Sequence, residues 1–577
     1  MTNIEVVTHS EESGKTFSSG SYSRHLLKVP VFAWLLILVI LPNVLLIGVS
    51  FLKAGNGGVV FQLTLDNYIR AFQSNGVWVL LARTLLTAAA STFIAALIAY
   101  PMAYYAARVL TKGRFISVLL VIIPLWISLL MRIFAWRIIL GEKGVLNSFL
   151  LSVGLLSKPS DAFLYNSFAV FLTFVYVSIP FIFIAVYSAI ERIPQNFVEA
   201  ASDCGASGIR AFFSVIWPLS KPGTAIGLSL AFLTAVGDYI TPSMVGGLNG
   251  TMLGMVISSQ FGIAGNWPYG ATLAILLLVA VTFILIILFK ATRVPGILVG
   301  EGGGNAVTRP RPKSVSERIK RGTAFGLFLL PFVFLYAPLV IIAIFSFNTS
   351  TVQMFPVEGF TFHWYQEALD NSALIAALNR SLFVGLCVLV ISIIAGTGFA
   401  ILFAYGKLSG SRWMEQLLTL PVAIPGVVLG ITLVLAFQLL SLPVGIPRVV
   451  LGHSTFVMPV VMLTVLGRLR RLDPALVEAS LDLGASYAST IWRVVLPLVR
   501  GAVIGGALLG FTLSIDEVVV SLFLTGTQPT LPVWVWNQMR FGFTPAVNAI
   551  FVCIGVFSIG LTLVARHFLK SKGAAPH

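Results

Sequence analysis

Charge is what this chain has least of. Only 10% of its 577 residues are Asp, Glu, Lys or Arg, while 57% are hydrophobic. A soluble protein of this length needs far more charge to cover its surface, which excludes an ordinary soluble globular class. Cysteine is scarcer still: Cys204, Cys387 and Cys553 stand far apart. They have no ligand spacing, which argues against a disulfide framework or a zinc site. The six histidines are scattered, none with a Cys or His partner at ligand spacing, so no metal set is expected. No G-x-x-x-x-G-K-S/T phosphate loop occurs, so the chain is not expected to hydrolyse ATP itself. Nor is there a nucleophile–base constellation, so neither covalent chemistry nor a cofactor of its own is expected. Acidic residues are the rarer sign, 21 against 37 basic, for a net charge of +16. The basic residues cluster in short gaps between apolar runs and form no continuous face. That is the positive-inside bias of membrane loops, and no nucleic-acid partner is expected.

What fills the sequence is apolar runs, with a mean hydropathy of +0.96. A membrane-spanning helix needs about 20 mostly apolar residues. Residues 1–28 are polar and Ser-rich and end in Arg24, His25 and Lys28. The run after them is too long for a signal-peptide core and has no clear cleavage site, so it reads as a first span behind a cytoplasmic tail. The first half predicts spans at 29–52, 78–106, 115–140, 165–188, 223–245 and 268–290. The second predicts 325–347, 377–404, 414–440, 450–467, 502–525 and 542–567. Lys112, Arg114, Lys407, Arg412, Arg468, Arg470, Arg471, Arg493 and Arg500 then share one side with the basic C-terminus. The expectation is an all-α integral membrane protein of about 12 spans in two tandem six-helix domains, with cytoplasmic N- and C-termini. The domains are 29–290 and 325–570. Between them, 291–324 holds a Gly run at 302–304 and several Lys and Arg residues, and reads as a flexible cytoplasmic linker.

Internal similarity organises the chain further. The stretch EAASDCGAS at 199–207 aligns with EASLDLGAS at 478–486, 279 residues later, and Pro218 and Pro497 follow at the same distance. Upstream, ARTLL around Arg83 matches NRSLF around Arg380, and Tyr68 matches Tyr365, both at an offset of 297. The smaller later offset assigns extra residues to the first half, in the loop 141–166. Downstream, Pro268 in NWPYGA matches Pro545 in GFTPAV, at an offset of 277. The landmarks keep their order, so the repeat is parallel, and two similar halves side by side can form a pathway at their shared interface.

A cytoplasmic EAA stretch with a following glycine and proline, between spans four and five, resembles the EAA loop of binding-protein-dependent ABC importer permeases. Here it comprises Glu199, Ala200, Ala201, Asp203, Gly205 and Pro218, then Glu478, Ala479, Ser480, Asp482, Gly484 and Pro497, with Ser480 replacing the second alanine. Glu199 and Asp203 are i,i+4 neighbours on one helix face, as are Glu478 and Asp482. The prolines are expected to stop each helix and lead back into the membrane. One copy alone would pass for an ordinary amphipathic loop helix; two copies at one spacing argue for docking. The resemblance implies docking of these helices on two cytoplasmic ABC ATPase subunits that bind ATP and Mg. It also implies an external solute-binding protein and a bacterial cytoplasmic (inner) membrane location.

Both halves also resemble the permease pair of spermidine/putrescine importers. The first does so in LLMRIFAWRIILGEKGVLN at 129–147 and AVGDYITPSMVGG at 235–247. The second does so in PVAIPGVVLG at 421–430 and FTLSIDEVVVSLFLTG at 511–526. A small cationic substrate such as a polyamine is implied. Importers of ferric iron, opines and other small solutes share much of this pattern, and an ion-gradient-driven secondary transporter is the rival from another class. Acids inside apolar spans cost about 2.5–3.5 kcal/mol each and are functional candidates. Asp238, Asp516 and Glu517 fall at the ends of span five, with Asp238 aligned to Glu517. Two readings stand for them: carboxylates lining a pathway for a cation, or caps at the outer interface. Tyr239, Trp267, Trp534 and Trp536 either offer cation–π faces or form an interfacial aromatic belt. Arg132 and Arg137, near the outer end of span three, are expected to snorkel or pair with an acid.

Overall fold

In the computed structural model the described residues are 21–55, 58–110, 113–292, 315–351, 353, 355, 357–406, 410–541, 544–556 and 560. Most of the predicted tail and linker, Lys112, Lys407 and the basic C-terminus lie outside them. Among the described residues, nine helices are long and apolar enough to cross a membrane, eleven if each of two bent pairs counts as one. Pro545–Val556 adds a shorter apolar helix.

Each half runs through the same series. A first span ends at Ser50 or Phe345, a short amphipathic helix follows (Asp66–Gln73, His363–Asp370), and then a long second span (Asn75–Tyr104, Ser372–Tyr405). The fourth spans, Ser167–Glu191 and Ile446–Leu469, are the most buried, with 72% and 67% of their apolar windows inside the protein. They hold the centre of each half against the second and fifth spans. Small residues make that packing close: a Cβ on Gly227 would lie 2.9 Å from the Ala185 Cβ. Such backbone approach is how apolar helices gain dispersion contacts where lipid removes the hydrophobic drive.

The repeat landmarks turn out to be structural ties. Tyr68 and Tyr365 each meet the serine at or just past the end of their first span, Ser50 and Ser346, at 2.8 Å. Arg83 donates to the Asn249 carbonyl at 3.0 Å, and Arg380 to the Pro529 carbonyl at 2.8 Å. Their neighbours Thr84 and Ser381 accept from the Leu253 and Leu531 amides at 2.9 and 2.8 Å. Each half thus pins its second span to the loop beyond its fifth. The extra residues of the first half form the helix Val145–Ser152 and the loop through Asn166, whereas the second half turns back between Leu439 and Ile446.

Four predicted spans differ from the structure. The stretch 115–140 is broken, Ile116–Leu125 meeting Leu129–Ser152 at 87°, and 414–440 is broken, Ser411–Ala423 meeting Gly426–Leu439 at 110°. In the second half Pro425 drives Ile424 into an extended conformation, φ −86°, ψ 132°, as a residue before proline must be. Ile127 takes the same shape at the first break, φ −96°, ψ 131°. The predicted fifth spans, 223–245 and 502–525, start too late and end too late. The helices are Trp217–Gly237 and Leu496–Asp516, and the chain then turns into short segments, Pro242–Gly246 and Val519–Leu524. Hydropathy averaged over a span does not register the breaks in the third spans, which lie within apolar sequence. The ends of the fifth spans, by contrast, fall at acids, Asp238 and Asp516 with Glu517.

Candidate functional site

The two EAA stretches form matching nine-residue helices, Gln195–Asp203 and Pro474–Asp482, with no buried residue in either. Glu199, Asp203, Glu478 and Asp482 are exposed, as are Ala200 and Ala479, while Ala201 and Ser480 are half-buried. The glycines explain the motif. Gly205 and Gly484 adopt φ +82° and +84°, a region that only glycine enters freely. The Ala206 and Ala485 amides bond back to the Ala201 and Ser480 carbonyls at 2.9 and 3.2 Å. The Gly205 and Gly484 amides reach Ser202 and Leu481 at 2.9 and 3.0 Å. This is the Schellman closure of a helix C-terminus. Ser207 and Ser486 then cap the next helix, accepting from the Arg210 and Ser489 amides.

The expectation that Pro218 and Pro497 stop these helices is corrected: the glycines stop them. Each proline lies in the first turn of the following span, just after a π-helical turn, Phe212–Ile216 or Ile491–Val495. A proline has no N–H for the carbonyl four residues back, and the wider turn absorbs that fault.

Sequence reasoning missed the braces behind these helices. Arg108 donates to the Ile190 carbonyl at 2.8 Å and to Gln195 Oε1 at 3.1 Å. It thereby fixes the start of the first EAA helix to the end of the second span. In the second half Arg470 and Glu415, 2.6 Å apart, join the end of span four to the start of span three. Arg108→Ala should speed amide exchange in Gln195–Asp203 about tenfold while leaving Pro474–Asp482 unchanged, given about 1.5 kcal/mol for bonds to a charged group. Mass spectrometry of exchange reads this directly, and equal exchange in both proteins would remove the brace.

The second site is the junction between the halves. Each broken third span presents the start of its outer segment to the end of the other half's fifth span. At one junction Gly237 meets Pro425 and Gly426 so closely that a Cβ would lie 2.7 Å from the Gly426 nitrogen. At the other, the Asp516 carboxylate accepts the Leu129 amide at 3.0 and 3.2 Å and lies 3.7 Å from Arg132 Nη2. A carboxylate at an open helix N-terminus is well placed against the backbone dipole. Asp238 accepts the Ile240 and Thr241 amides at 2.8 and 3.0 Å and also the Thr241 hydroxyl. Glu517 accepts the Val520 amide at 2.9 Å. Both therefore cap the turn beyond span five. The charges nonetheless act on one another: Arg132 on Asp238 and Asp516, and both aspartates on Glu517. Arg132 and Asp516 pair across the halves, and Asp238 and Glu517 lie at the starts of the turns that follow the two fifth spans.

Tyr239 is buried and faces the Phe523 ring of the other half at 6.2 Å. Trp534 and Trp536 are 8% and 7% exposed, on the helix Leu531–Phe541, which packs on Ser372–Tyr405 and across the junction on Leu129–Leu140. Both rings are thus largely covered by protein, because their helix packs against helices of both halves. Among the described residues no cation lies over either ring. Trp267 packs on Phe261 at 5.8 Å, and Arg137 lies 5.9 Å above the Tyr165 ring. His453, also missed, is buried between Ser514 at 2.9 Å and Ser521 at 2.8 Å, tying span four to span five and the turn beyond it. Among the described residues no group of three or more His, Cys, Asp or Glu side chains is arranged to hold a metal ion.

Residues 95–297 and 389–571 each match the family described as "Binding-protein-dependent transport system inner membrane component". The spermidine/putrescine transport system permease protein PotB of Haemophilus influenzae is 35% identical over 267 residues, 46% of this chain and 92% of that protein. PotB of Escherichia coli is 35% identical over 266 residues, 46% of this chain and 96% of that protein. The putrescine transport system permease protein PotI of Escherichia coli is 35% identical over 254 residues, 43% of this chain and 90% of that protein. Each relative is a single unit where this chain has two. With exposed EAA helices in matching positions and a family match in each half, the chain belongs to the binding-protein-dependent transport system inner membrane components, as a multi-pass permease carrying the family twice.

Proposed function

We propose that this permease moves a small cation, a polyamine such as putrescine or spermidine, inward across the membrane in an ATP-driven ABC importer. One observation carries the choice of cargo: Asp516 faces Arg132 across the junction of the halves, and Asp238 and Glu517 add two further carboxylates at the ends of the fifth spans there. An excess of negative charge in a low-dielectric junction favours a cation carrying more than one charge. The polyamine names of the relatives support the same reading.

In this reading the chain makes twelve spans with both termini cytoplasmic, in permease domains 29–290 and 325–570 joined by the linker 291–324. Two separate ATPase subunits dock on Glu199–Gly205 and Glu478–Gly484, and an external binding protein delivers the cargo. Closure of the ATPases on ATP moves the two EAA helices, and the rigid fifth spans that follow Pro218 and Pro497 carry the motion to Asp238, Asp516 and Glu517. The junction then opens outward, and hydrolysis resets it inward. Tyr239, Trp534 and Trp536 form the apolar wall beside the carboxylates. The chain supplies positioning and alternating access, and ATP with Mg is held by its partners.

The test is uptake of radiolabelled putrescine and spermidine by vesicles holding the chain, its ATPase and its binding protein. Saturable, ATP-dependent accumulation is expected. Silence with polyamines, but ATPase activity stimulated by loaded binding protein, redirects the cargo to ferric iron, an opine or another small solute. Uptake that follows an ion gradient and ignores ATP makes the chain a secondary transporter.

A further inference from the structure

The ion pair between Arg132 and Asp516 is poorly made for a structural lock. Its nitrogen–oxygen distance is 3.7 Å, beyond hydrogen-bond range. The remaining guanidinium nitrogens, Nε and Nη1, are buried without a hydrogen-bond partner among the described residues. A guanidinium held for stability inside a membrane protein is normally clamped by two parallel bonds to its carboxylate. The partners are also unequally enclosed: the Arg132 side chain is 5% accessible and that of Asp516 23%. The carboxylate therefore keeps an open face while its cation is sealed in. The repeat provides an internal comparison. Arg132 aligns with Leu429 and Asp516 with Gly237, and that junction closes by backbone contact with no ion pair between the aligned positions. Closing a junction of this fold does not require an ion pair.

We infer that Arg132 is a tethered counter-cation: it neutralises Asp516 while the pathway is empty, and an ammonium group of the cargo displaces it there. This rests on the cationic cargo proposed above. Displacement keeps one cation on Asp516 throughout, because the ammonium takes the guanidinium's place there while Arg132 moves aside, still tethered in the junction. The added positive charge is met by the further carboxylates Asp238 and Glu517. It also makes the junction selective, since a neutral or anionic solute cannot release the arginine. Arg132 is a positioning and specificity residue in this account.

The test uses the chain assembled with its ATPases in lipid nanodiscs, without the binding protein, and putrescine as the probe. Radioligand binding and thermal melting are read together. Arg132→Gln should melt lower than wild type, bind putrescine about tenfold tighter because its internal competitor is gone, and regain its melting temperature as putrescine is added. Arg132→Lys, which keeps the charge, should behave as wild type. Asp516→Asn should lose both the binding and the rescue. An Arg132→Gln protein that binds putrescine no tighter than wild type, or melts low without rescue, overturns the inference and leaves a purely structural pair. Wild-type vesicles that take up no putrescine overturn the cargo assignment, and this inference with it. Wild-type uptake with no effect of Arg132→Gln on binding overturns the inference alone.

Discussion

Reversing the charge on both EAA helices, Glu199→Lys with Glu478→Lys, is expected to abolish solute uptake while the protein remains in the membrane at normal abundance. Both glutamates are exposed on helices with no buried residue, so the substitutions disturb no packing and the spans still insert. At a docking surface, however, a wrong-sign charge costs several kcal/mol, and each 1.4 kcal/mol is about tenfold in affinity. Two sites altered together should reduce ATPase retention by more than about a hundredfold. Co-purification of the ATPase and uptake into vesicles measure the two halves of the claim. Normal transport by the double variant would defeat the docking assignment.

The second large effect concerns the carboxylates. Asp238→Asn with Glu517→Gln removes two negative charges from the junction but leaves side-chain oxygens that still accept the capping amides. Asparagine caps a helix about as well as aspartate, so the fold around the Thr241 and Val520 amides should persist and the melting temperature should change little. Uptake of a dication should nonetheless fall by about tenfold or more, because a charge pair near 4 Å is worth about 4 kcal/mol at an effective dielectric constant of 20. Asp238→Ala with Glu517→Ala, by contrast, should lose stability as well, since the buried amides lose their acceptors. If the Asn/Gln protein transports at the wild-type rate, these residues are caps and the pathway runs elsewhere.

The sequence made several features plain because each is encoded locally. Twenty-residue apolar runs located nine helices, and the EAA stretches located the two exposed helices with their terminal glycines. What escaped was encoded by changes of direction within apolar sequence. The breaks before Leu129 and Gly426 leave hydropathy unaltered, although Pro425 gave a signal at the second that could have been used. The ends of span five at Gly237 and at Asp516 do carry a signal, the acids Asp238, Asp516 and Glu517, but apolar residues resume beyond them and extend the apparent span. Long-range pairing was hidden differently. Leu129 and Asp516 lie 387 positions apart, and no periodicity links them. The sequence marks Arg132 only as a charge that snorkels or pairs with an acid, and its partner Asp516 appears when the halves are assembled. Tyr68, Arg83, Tyr365 and Arg380 were found as repeated letters, and only their hydrogen bonds show that they secure loops.

The unequal junctions also determine which half can be mated with which. A pair built from two first halves would set Arg132 against Gly237 and take away the carboxylate of Asp516 that it meets across the junction. A pair built from two second halves would set Asp516 against Gly426 and Leu429, leaving a carboxylate with no base. Either mismatch removes the partner of Arg132 or of Asp516, which costs several kcal/mol, whereas the mixed pair keeps the two together. Self-pairing is therefore penalised by one residue on each side, and joining the halves in one polypeptide supplies the correct mate in every copy made.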